Sequence, residues 1–207
     1  MSDKANREGS LFVVSGPSGA GKSTLAKRVV ESFDGIEFSI SYTTRSPRQG
    51  ETNGVEYRFI DDAEFDRMVE AGEFLEYAGV HSKRYGTSRE DVLGLCKRGI
   101  DVLLDIDVQG AAQLAKSLKE SCVYIFVLPP SIEECRERLK GRGDIDDEFI
   151  EARLKTALLE IKEVGAYDYI IINEDLEDSM ERLFAVVTAE RTSLKAMWSR
   201  AKESFDI

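Results

Sequence analysis

The sequence predicts an α/β fold in which a largely parallel sheet is flanked by helices. Three observations lead to this prediction. Short apolar runs alternate along the chain with segments of helical spacing, as they do in βαβ units. Several of these runs are continuously apolar, which is typical of strands buried on both faces. The chain has 207 residues, of which 42% are hydrophobic and 32% charged, and this composition can supply a globular core.

The first elements along the chain are a strand and a helix joined by a Gly-rich turn. The apolar run 11–15 predicts a buried strand, and apolar residues recur at helical spacing over 24–33. Residues 36–45 then alternate between apolar and polar side chains, which predicts a strand with one exposed face.

The next stretch, up to residue 91, has a different pattern of short alternating strands and turn-forming residues. Its predicted elements are strands over 55–60 and 73–80 and helices over 61–71 and 88–98. Asp61 or Asp62 is the candidate N-cap of the first helix and Ser88 that of the second. The stretch therefore predicts a small mixed α+β insertion in the parallel sheet.

The second half of the chain returns to alternating strands and helices. Its predicted elements are continuous apolar strands over 101–107, 122–128 and 167–172 and helices over 110–119, 149–164 and 177–205. Ser131 and Glu134 form a capping box for a further helix that reaches Leu139, and a charged, Gly-broken loop follows. The expected division is a core of residues 10–40, 92–130 and 160–207, the insertion at 41–91, a second excursion at 131–159 and a flexible tail at 1–9.

The charge balance and the cysteine content exclude several classes of function. Lys and Arg number 28 against 39 Asp and Glu, a net charge of −11, which argues against nucleic-acid and anionic-membrane partners. No apolar run approaches the ~20 residues that span a bilayer, and the polar first ten residues lack the core of a signal peptide. Three cysteines without a disulfide or zinc spacing, and the single histidine His81, predict a cytoplasmic protein without a zinc site.

The Gly-rich turn after the first strand carries the most specific chemistry. Residues 16–23 match the P-loop pattern in full, between a strand and a helix, as phosphate binding requires. Its glycines let backbone N–H groups face one point, Lys22 supplies a charge for the β- and γ-phosphates, and Ser23 offers a hydroxyl to Mg²⁺. The expected triphosphate-binding residues are Gly16, Pro17, Ser18, Gly19, Ala20, Gly21, Lys22, Ser23 and Thr24.

A P-loop needs a second acidic group at the end of a neighbouring strand, and Asp105 supplies it. The sequence leaves open whether this carboxylate faces the water shell of the metal or Lys22. The expected metal-site residues are therefore Ser23 and Asp105, and the predicted core is that of a P-loop nucleoside triphosphatase.

A second phosphate site is indicated in the insertion. Arg45 and Arg48 lie three residues apart in a turn stiffened by Pro47, and two guanidinium groups so placed can grip one phosphate. Tyr57 and Tyr85 can add hydroxyl donors.

Several segments together resemble the guanylate kinases. They are residues 41–51 with Gly54 and Tyr57, residues 73–76, residues 85–87, residues 104–110 and residues 138–143. The resemblance covers nearly the whole chain from Ser10 onward. Tyr42 departs from it, where many relatives have a smaller residue, and so does Thr87, which keeps the hydroxyl of the more usual serine.

The resemblance implies that ATP phosphorylates GMP to give GDP and ADP, with Mg²⁺ as cofactor and with dGMP as a further expected acceptor. It makes residues 41–91 the GMP-binding domain and residues 131–159 a lid. The implied GMP-binding residues are Arg45, Arg48, Tyr57 and Tyr85 for the phosphate and Ser41, Glu76, Thr87 and Asp107 for the guanine. The implied catalytic residues are Lys22, Arg45, Arg138, Arg142 and Arg153. One carboxylate, that of Glu76, can accept both N1–H and the 2-amino group of guanine.

Three other functions are possible for a chain with a P-loop and this resemblance. A non-catalytic guanylate-kinase-like binding module has no need of Lys22, Ser23 or Asp105, all of which are present. In a P-loop kinase of another phosphorylated small molecule, Glu76 and Asp107 have no evident role. A P-loop switch protein does not require the arginines of the lid. The residues do not decide the oligomeric state.

Overall fold

Nine strands form two sheets in the part of the chain that the computed structural model describes, which is residues 7–80, 83–118, 121–141 and 147–206. The strands are β1 (Leu11–Ser15), β2 (Ile36–Phe38), β3 (Tyr42–Thr43), β4 (Arg58–Phe59), β5 (Phe74–Val80), β6 (Lys83–Ser88), β7 (Asp101–Asp105), β8 (Cys122–Leu128) and β9 (Tyr169–Ile172). The helices are α1 (Lys22–Ser32), α2 (Asp62–Glu70), α3 (Arg89–Lys97), α4 (Val108–Leu118), α5 (Ile132–Lys140), α6 (Asp147–Ile161), α7 (Leu176–Arg191) and α8 (Leu194–Phe205), with a 3₁₀ turn at Lys162–Ala166.

The larger sheet has the strand order β2-β7-β1-β8-β9, and every neighbouring pair in it is parallel. This arrangement confirms the predicted mainly parallel sheet flanked by helices. Its central strand β1 is buried along its whole length, as the continuous apolar pattern required. The carboxyl ends of β1 and β7 lie side by side, because Val14 is in register with Asp105.

Helices cover both faces of this sheet, and the side chains of β1 divide between them. Phe12 and Val14 pack with residues of α1 and α7 on one face. Leu11 and Val13 pack with residues of α3 and α4 on the other. The period of two along the strand therefore builds two cores, one on each side of the sheet.

The smaller sheet has the order β4-β3-β6-β5 and mixes parallel and antiparallel pairs. Helix α2 packs on it through Phe65 and Met68, which meet Phe74 of β5 in a separate apolar cluster. A second small cluster joins α5 to α6 through Cys135, Leu139 and residues of α6. None of the helices in the described ranges combines the length and apolarity that a bilayer crossing requires.

The predicted strand over 36–45 is wrong as a single element. The structure splits it into β2, which pairs with β7 in the larger sheet, and β3, which pairs with β4 and β6 in the smaller one. Alternation marks a half-exposed strand in either sheet, so the pattern alone could not show the change of partner.

The last strand and the last helix also differ from the prediction. β9 is an edge strand on which Ile170 and Ile172 are 55% and 42% exposed, because only the Ile171 face is covered by α7. The predicted helix over 177–205 is two helices, since α7 ends at Arg191 and Ser193 caps the start of α8 by accepting a hydrogen bond from the N–H of Ala196 at 3.3 Å.

Two residues of the expected tail at 1–9 are bonded to the rest of the fold. Arg7 donates two hydrogen bonds to the buried carboxylate of Asp101, at 2.7 and 2.8 Å, and the N–H of Gly9 donates to the carbonyl of Cys96. Residues 1–6 lie outside the described ranges.

Candidate active site

The P-loop lies between β1 and α1, and its shape depends on three glycines. Gly16, Gly19 and Gly21 have φ values of 135°, 88° and 86°, which L side chains rarely adopt. A Cβ on Gly16 would lie 2.1 Å from the carbonyl oxygen of Val127 in the neighbouring strand. The backbone therefore folds close against β8, as a loop whose N–H groups surround an anion must.

Lys22 stands at the first position of α1 and reaches back over the loop. Its Nζ donates to the carbonyl oxygens of Gly16 at 2.6 Å and of Pro17 at 3.1 Å. The ammonium group is thus already positioned at the mouth of the loop. Pro17 and Ala20 are buried within the turn, whereas Thr24 is exposed on α1.

Ser23 and Asp105, the two expected metal-site residues, are in direct contact. The Ser23 hydroxyl donates to Oδ2 of Asp105 at 2.5 Å. Ser23 is in the first turn of α1, and Asp105 is the last residue of β7, so adjacent parallel strands bring the two oxygens to the same edge of the sheet. In this structure the hydrogen-bond partner of the Asp105 carboxylate is therefore the hydroxyl of Ser23.

A cleft of about 470 Å³ opens beside the loop. Its lining includes Lys22, Asp107 and two residues of α6, Arg153 and Glu160. The Arg153 guanidinium lies 3.4 Å from the hydroxyl of Ser18, which places one predicted catalytic arginine at the loop. Burial raises the pKa of Glu160, although the positive charge of Lys22 opposes the rise.

Arg138 also lies near the loop, and its guanidinium is held at two points. Nε donates to the Glu134 carboxylate at 2.9 Å, and Nη2 donates to the main-chain carbonyl of Asn173 at 3.0 Å. Arg142, the other predicted arginine of this segment, lies outside the described residues together with 143–146.

Asn173 was not among the predicted site residues, yet its side chain supports the P-loop. It is 6% exposed, and its Nδ2 donates to the carbonyl oxygen of Ala20 at 2.8 Å. The same Nδ2 would lie 2.4 Å from a Cβ on Gly21, so the amide fills the space that this glycine leaves. The available signal was a polar residue directly after a strand of the parallel sheet.

The second predicted phosphate site is organised by a carboxylate. Arg45 forms two hydrogen bonds with Glu51, at 2.8 and 2.9 Å, and its guanidinium lies 5.2 Å from the ring centre of Tyr57. Glu51 also accepts the N–H of Arg48 at 2.6 Å, and these bonds lower its pKa to about 2. The rings of Tyr57 and Tyr85 meet in an edge-to-face arrangement with the centroids 5.8 Å apart. Tyr57 and Tyr85 therefore lie on one side of Arg45, while the side chain of Arg48 is exposed.

A second cleft, of about 510 Å³, joins this region to the P-loop. Ser41 and Tyr57 line it on the side of the insertion, and Ser23 and Asp105 line it on the side of the parallel sheet. Ser23 also lines the cleft beside the P-loop, so the two clefts meet at the first turn of α1.

Glu76 is a buried carboxyl group at the inner end of the insertion. It is 6% exposed, and the hydroxyl of Thr87 donates to its Oε1 at 2.5 Å. Burial raises the pKa of Glu76 to about 7, and the negative charge of Asp107 adds to the rise against the effect of Thr87. Asp107 itself accepts the N–H of Gly110 at 2.8 Å and so begins α4.

A parallel sheet with a P-loop and a strand-end carboxylate, and with a cleft that runs from there to Ser41 and Tyr57 of the insertion, defines a P-loop nucleotide kinase. Comparisons with known proteins identify the family of nucleotide kinases to which the chain belongs.

The family model of the guanylate kinases matches residues 8–190. The guanylate kinase of Geobacter metallireducens is 48% identical over 201 residues, which cover 97% of this chain and 98% of that protein. The guanylate kinase of Clostridioides difficile is 45% identical over 188 residues, 91% of each chain. The crystal structure of guanylate kinase from Anaplasma phagocytophilum superposes with a TM-score of 0.75 at 37% identity, covering 91% of this chain and 89% of that one.

The chain belongs to the guanylate kinase family. It is a nucleoside monophosphate kinase whose substrates are ATP and GMP, and the predicted fold, family and reaction are confirmed. These comparisons do not favour a non-catalytic binding module or a kinase of another small molecule.

Proposed function

We propose that this chain transfers the γ-phosphoryl group of ATP directly and in line to the phosphate of GMP, with the first turn of α1 at the point of transfer. The observation that carries this proposal is that Ser23 lines both clefts, the one beside the P-loop and the one that reaches Ser41 and Tyr57. A triphosphate on the loop and a monophosphate in the insertion would meet there.

The acceptor oxygen needs no general base, because a nucleotide phosphate is already ionised at neutral pH. The difficulty is the repulsion between two anions that must approach each other. Lys22 on the donor side and Arg45 and Arg48 on the acceptor side neutralise that charge, so positioning and electrostatics supply most of the rate.

Arg45 is the main acceptor group in this proposal. Its paired bonds to Glu51 hold the guanidinium in one orientation, with Tyr57 beneath it and Tyr85 nearby. Further N–H groups of the guanidinium then serve the GMP phosphate, and the two tyrosine hydroxyls add donors.

Glu76, Thr87, Asp107 and Ser41 form the proposed guanine site. The ionised Glu76 carboxylate accepts N1–H and the 2-amino group, which adenine cannot offer from the same edge. Since hydrogen bonding to the ionised form favours it, bound guanine draws the pKa of Glu76 back down and releases a proton.

We assign the α5–α6 pair the role of a lid, which its own apolar cluster supports. Arg138 and Arg153 are its proposed catalytic arginines, because both already lie against the P-loop or its support. Arg142 keeps the role that the family resemblance implies.

Ser23 and Asp105 are the residues that would hold Mg²⁺. A hydroxyl and a carboxylate are hard oxygen donors, and Mg²⁺ is usually held by one or two such groups together with water and phosphate oxygens. The fit favours the metal over Lys22 as the partner of Asp105, since its carboxylate already bonds to Ser23. When bound, Mg²⁺ neutralises charge on the β- and γ-phosphates.

The proposal extends to dGMP as a further acceptor, because every assigned contact is to the phosphate or the base rather than to the ribose. It places the protein in the cytoplasm, since three widely spaced cysteines do not form the disulfide framework that is typical of an oxidising compartment. We include no nucleic-acid or membrane partner, given the net charge of −11.

A coupled assay of ADP formation tests the proposal with ATP, Mg²⁺ and each nucleoside monophosphate in turn. We expect turnover with GMP and dGMP and a kcat/KM for AMP lower by a factor on the order of 10⁴. Equal turnover with AMP or CMP would contradict the guanine site, and turnover unaffected by removal of Mg²⁺ would contradict the metal site.

A second experiment separates the two phosphate sites. Arg45→Ala is expected to raise the KM for GMP on the order of 100-fold, because a bidentate phosphate contact is lost, with the KM for ATP nearly unchanged. Arg67→Ala is the matched control, since that arginine lies on α2 in ion pairs with Glu64 and Glu73 outside both clefts. Equal increases in both KM values for Arg45→Ala would remove it from the acceptor site.

A further inference from the structure

Helix α4 and strand β5 approach each other closely at one position. A Cβ on Gly110 would lie 2.6 Å from Oε2 of Glu76 and 3.2 Å from its Cδ. Real Cβ atoms do not approach oxygen this closely, so the carboxyl group of Glu76 occupies the space that a side chain at position 110 would take. It is held there from the other side by the hydroxyl of Thr87 at 2.5 Å.

The helix is fixed at this distance from the strand. Gln113 lies on the same face of α4, three residues after Gly110, and its amide pairs with the backbone of Tyr77, the residue after Glu76. The side-chain nitrogen donates to the Tyr77 carbonyl at 2.8 Å, and the side-chain oxygen accepts the Tyr77 N–H at 3.2 Å. The N–H of Gly110 is itself bonded to Asp107 at 2.8 Å. A larger residue at position 110 cannot therefore be accommodated by moving the helix away.

The group that yields to a larger residue is the carboxylate. It is the far end of a flexible side chain, whereas the neighbouring backbone is held by the bonds of Gln113 and Asp107. An alanine at position 110 is then expected to turn the Glu76 carboxylate out of its position and to leave the packing of α4 against β5 unchanged.

We propose that Gly110 is a specificity-determining residue of this kinase, because its missing side chain seats the Glu76 carboxylate in the position from which it reads guanine. This inference rests on the proposed function, in which Glu76 accepts N1–H and the 2-amino group. Gly110 acts through Glu76 and touches no substrate, so it is a positioning residue.

The chemistry of the base provides a selective readout. Inosine monophosphate keeps the N1–H of GMP but lacks the 2-amino group, so it can donate only one hydrogen bond to the Glu76 carboxylate. A displaced carboxylate loses the contact to the 2-amino group and the alignment to N1–H, and the preference for GMP over inosine monophosphate falls. A general loss of structure lowers both activities by the same factor.

The experiment compares Gly110→Ala with Gly94→Ala. Both glycines lie in helices, but a Cβ on Gly94 meets nothing within 4 Å among the described residues. We expect Gly110→Ala to lower kcat/KM for GMP on the order of 100-fold and the ratio of GMP to inosine monophosphate on the order of 10-fold. The KM for ATP stays within about twofold, and the thermal midpoint stays close to that of Gly94→Ala, because the substitution leaves the P-loop and the packing in place.

A double-mutant cycle with Glu76→Asp tests the contact itself. Aspartate is one methylene shorter, so it withdraws from Thr87 and guanine but also leaves room for a Cβ at position 110. We expect the loss in Gly110→Ala/Glu76→Asp to be smaller than the product of the two single losses. Losses that multiply would show that the two residues act independently and would overturn the inference, as would an unchanged GMP ratio in Gly110→Ala or a variant that does not fold.

Glu76→Gln in the same assay separates this inference from the proposed function. If the GMP ratio is unchanged in Glu76→Gln, the assignment of Glu76 as the base reader fails and the role of Gly110 fails with it. If the ratio falls in Glu76→Gln but not in Gly110→Ala, the base reader stands and only the role of Gly110 is wrong.

Discussion

The carboxyl group of Glu76 titrates close to neutral pH. Burial raises its pKa to about 7, the charge of Asp107 adds to the rise, and the hydrogen bond from Thr87 opposes it. The pKa of the folded state lies above the ordinary value of 4.5, so the folded state binds the proton more tightly. The free energy of unfolding therefore falls as the pH rises from about 4.5 to about 7, which identifies the charged form as the costly one.

This titration predicts a pH dependence of GMP binding. Only the ionised carboxylate accepts both guanine donors, so the KM for GMP is expected to fall about fourfold between pH 6.5 and pH 8, as the ionised fraction rises through a pKa of about 7. Glu76→Gln cannot ionise, and its KM for GMP, although higher, is expected to vary little over this range. The measurement is KM for GMP at saturating ATP, with calorimetry in two buffers to count the protons released.

Glu76→Gln serves as the control for ionisation of the nucleotide itself. The second ionisation of the GMP phosphate, near pH 6, affects both proteins equally. Parallel pH profiles for the wild type and Glu76→Gln would show that the observed titration belongs to the nucleotide and not to Glu76.

At the scale of elements, features with a local signal could be predicted from the sequence. Asp61, Ser88 and Ser131 each accept the N–H three residues later, at 2.8, 3.3 and 3.1 Å, so the predicted caps do begin helices. The P-loop was predictable for the same reason, because its eight residues are consecutive. Asp105 followed from the rule that adjacent parallel strands end at the same edge.

Features that depend on distant partners could not be predicted. Residues 36–45 alternate throughout, but the change of sheet between β2 and β3 is set by β7 on one side and β6 on the other. The apolar run of β9 matches a buried strand, although it lies at an edge. Asn173 and Gly110 act through Ala20 and Glu76, at sequence distances of 153 and 34 residues, which no local pattern reports.

Asn173 gives a prediction at the level of the loop that it supports. Asn173→Ala removes the donor to the Ala20 carbonyl and empties the space beside Gly21, so the loop loses its fixed shape. We expect the KM for ATP to rise on the order of 10-fold, with the KM for GMP nearly unchanged. Steady-state kinetics with each substrate varied in turn measures this difference.

The control for Asn173→Ala is Ile171→Val, two residues earlier and within β9. Ile171 is 2% exposed in the core beneath α7, so both substitutions are expected to cost about 1 kcal/mol of stability. If both variants raise the KM for ATP equally, the effect reflects loss of stability, and Asn173 has no specific part in shaping the loop.

At the scale of the whole molecule, the two ends of the parallel sheet have separate tasks. The carboxyl ends of β1 and β7 carry the P-loop and Asp105, whereas the first residue of β7 is Asp101. The net charge of −11 does not weaken phosphate binding, since salt screens distant charges beyond about 8 Å and the cations of the site are local. The phosphate-binding residues lie at the carboxyl end of the sheet. Charged residues at its amino end can therefore form a purely structural network.

Asp101 is the centre of that network. Its carboxylate is fully buried and accepts hydrogen bonds from Arg7 at 2.7 and 2.8 Å, from the N–H of Ser10 at 2.7 Å and from Arg191 at 2.6 Å. Arg191 also donates to the carbonyl of Asp34 at 2.9 Å. One carboxylate thus joins the first described residues, the loop before β2, strand β7 and the end of α7.

Asp101→Asn is expected to destabilise the fold without altering the chemistry. The amide cannot balance two arginines, so the free energy of unfolding is expected to fall by about 3 kcal/mol and the thermal midpoint by about 10 °C. Both KM values stay unchanged at low temperature, because the network lies at the opposite end of β7 from Asp105. Asp66→Asn is the matched control, since that exposed carboxylate pairs with Arg84 on the surface and its loss changes the midpoint little. A midpoint for Asp101→Asn equal to that of Asp66→Asn would mean that the backbone contacts of the sheet alone hold this end together.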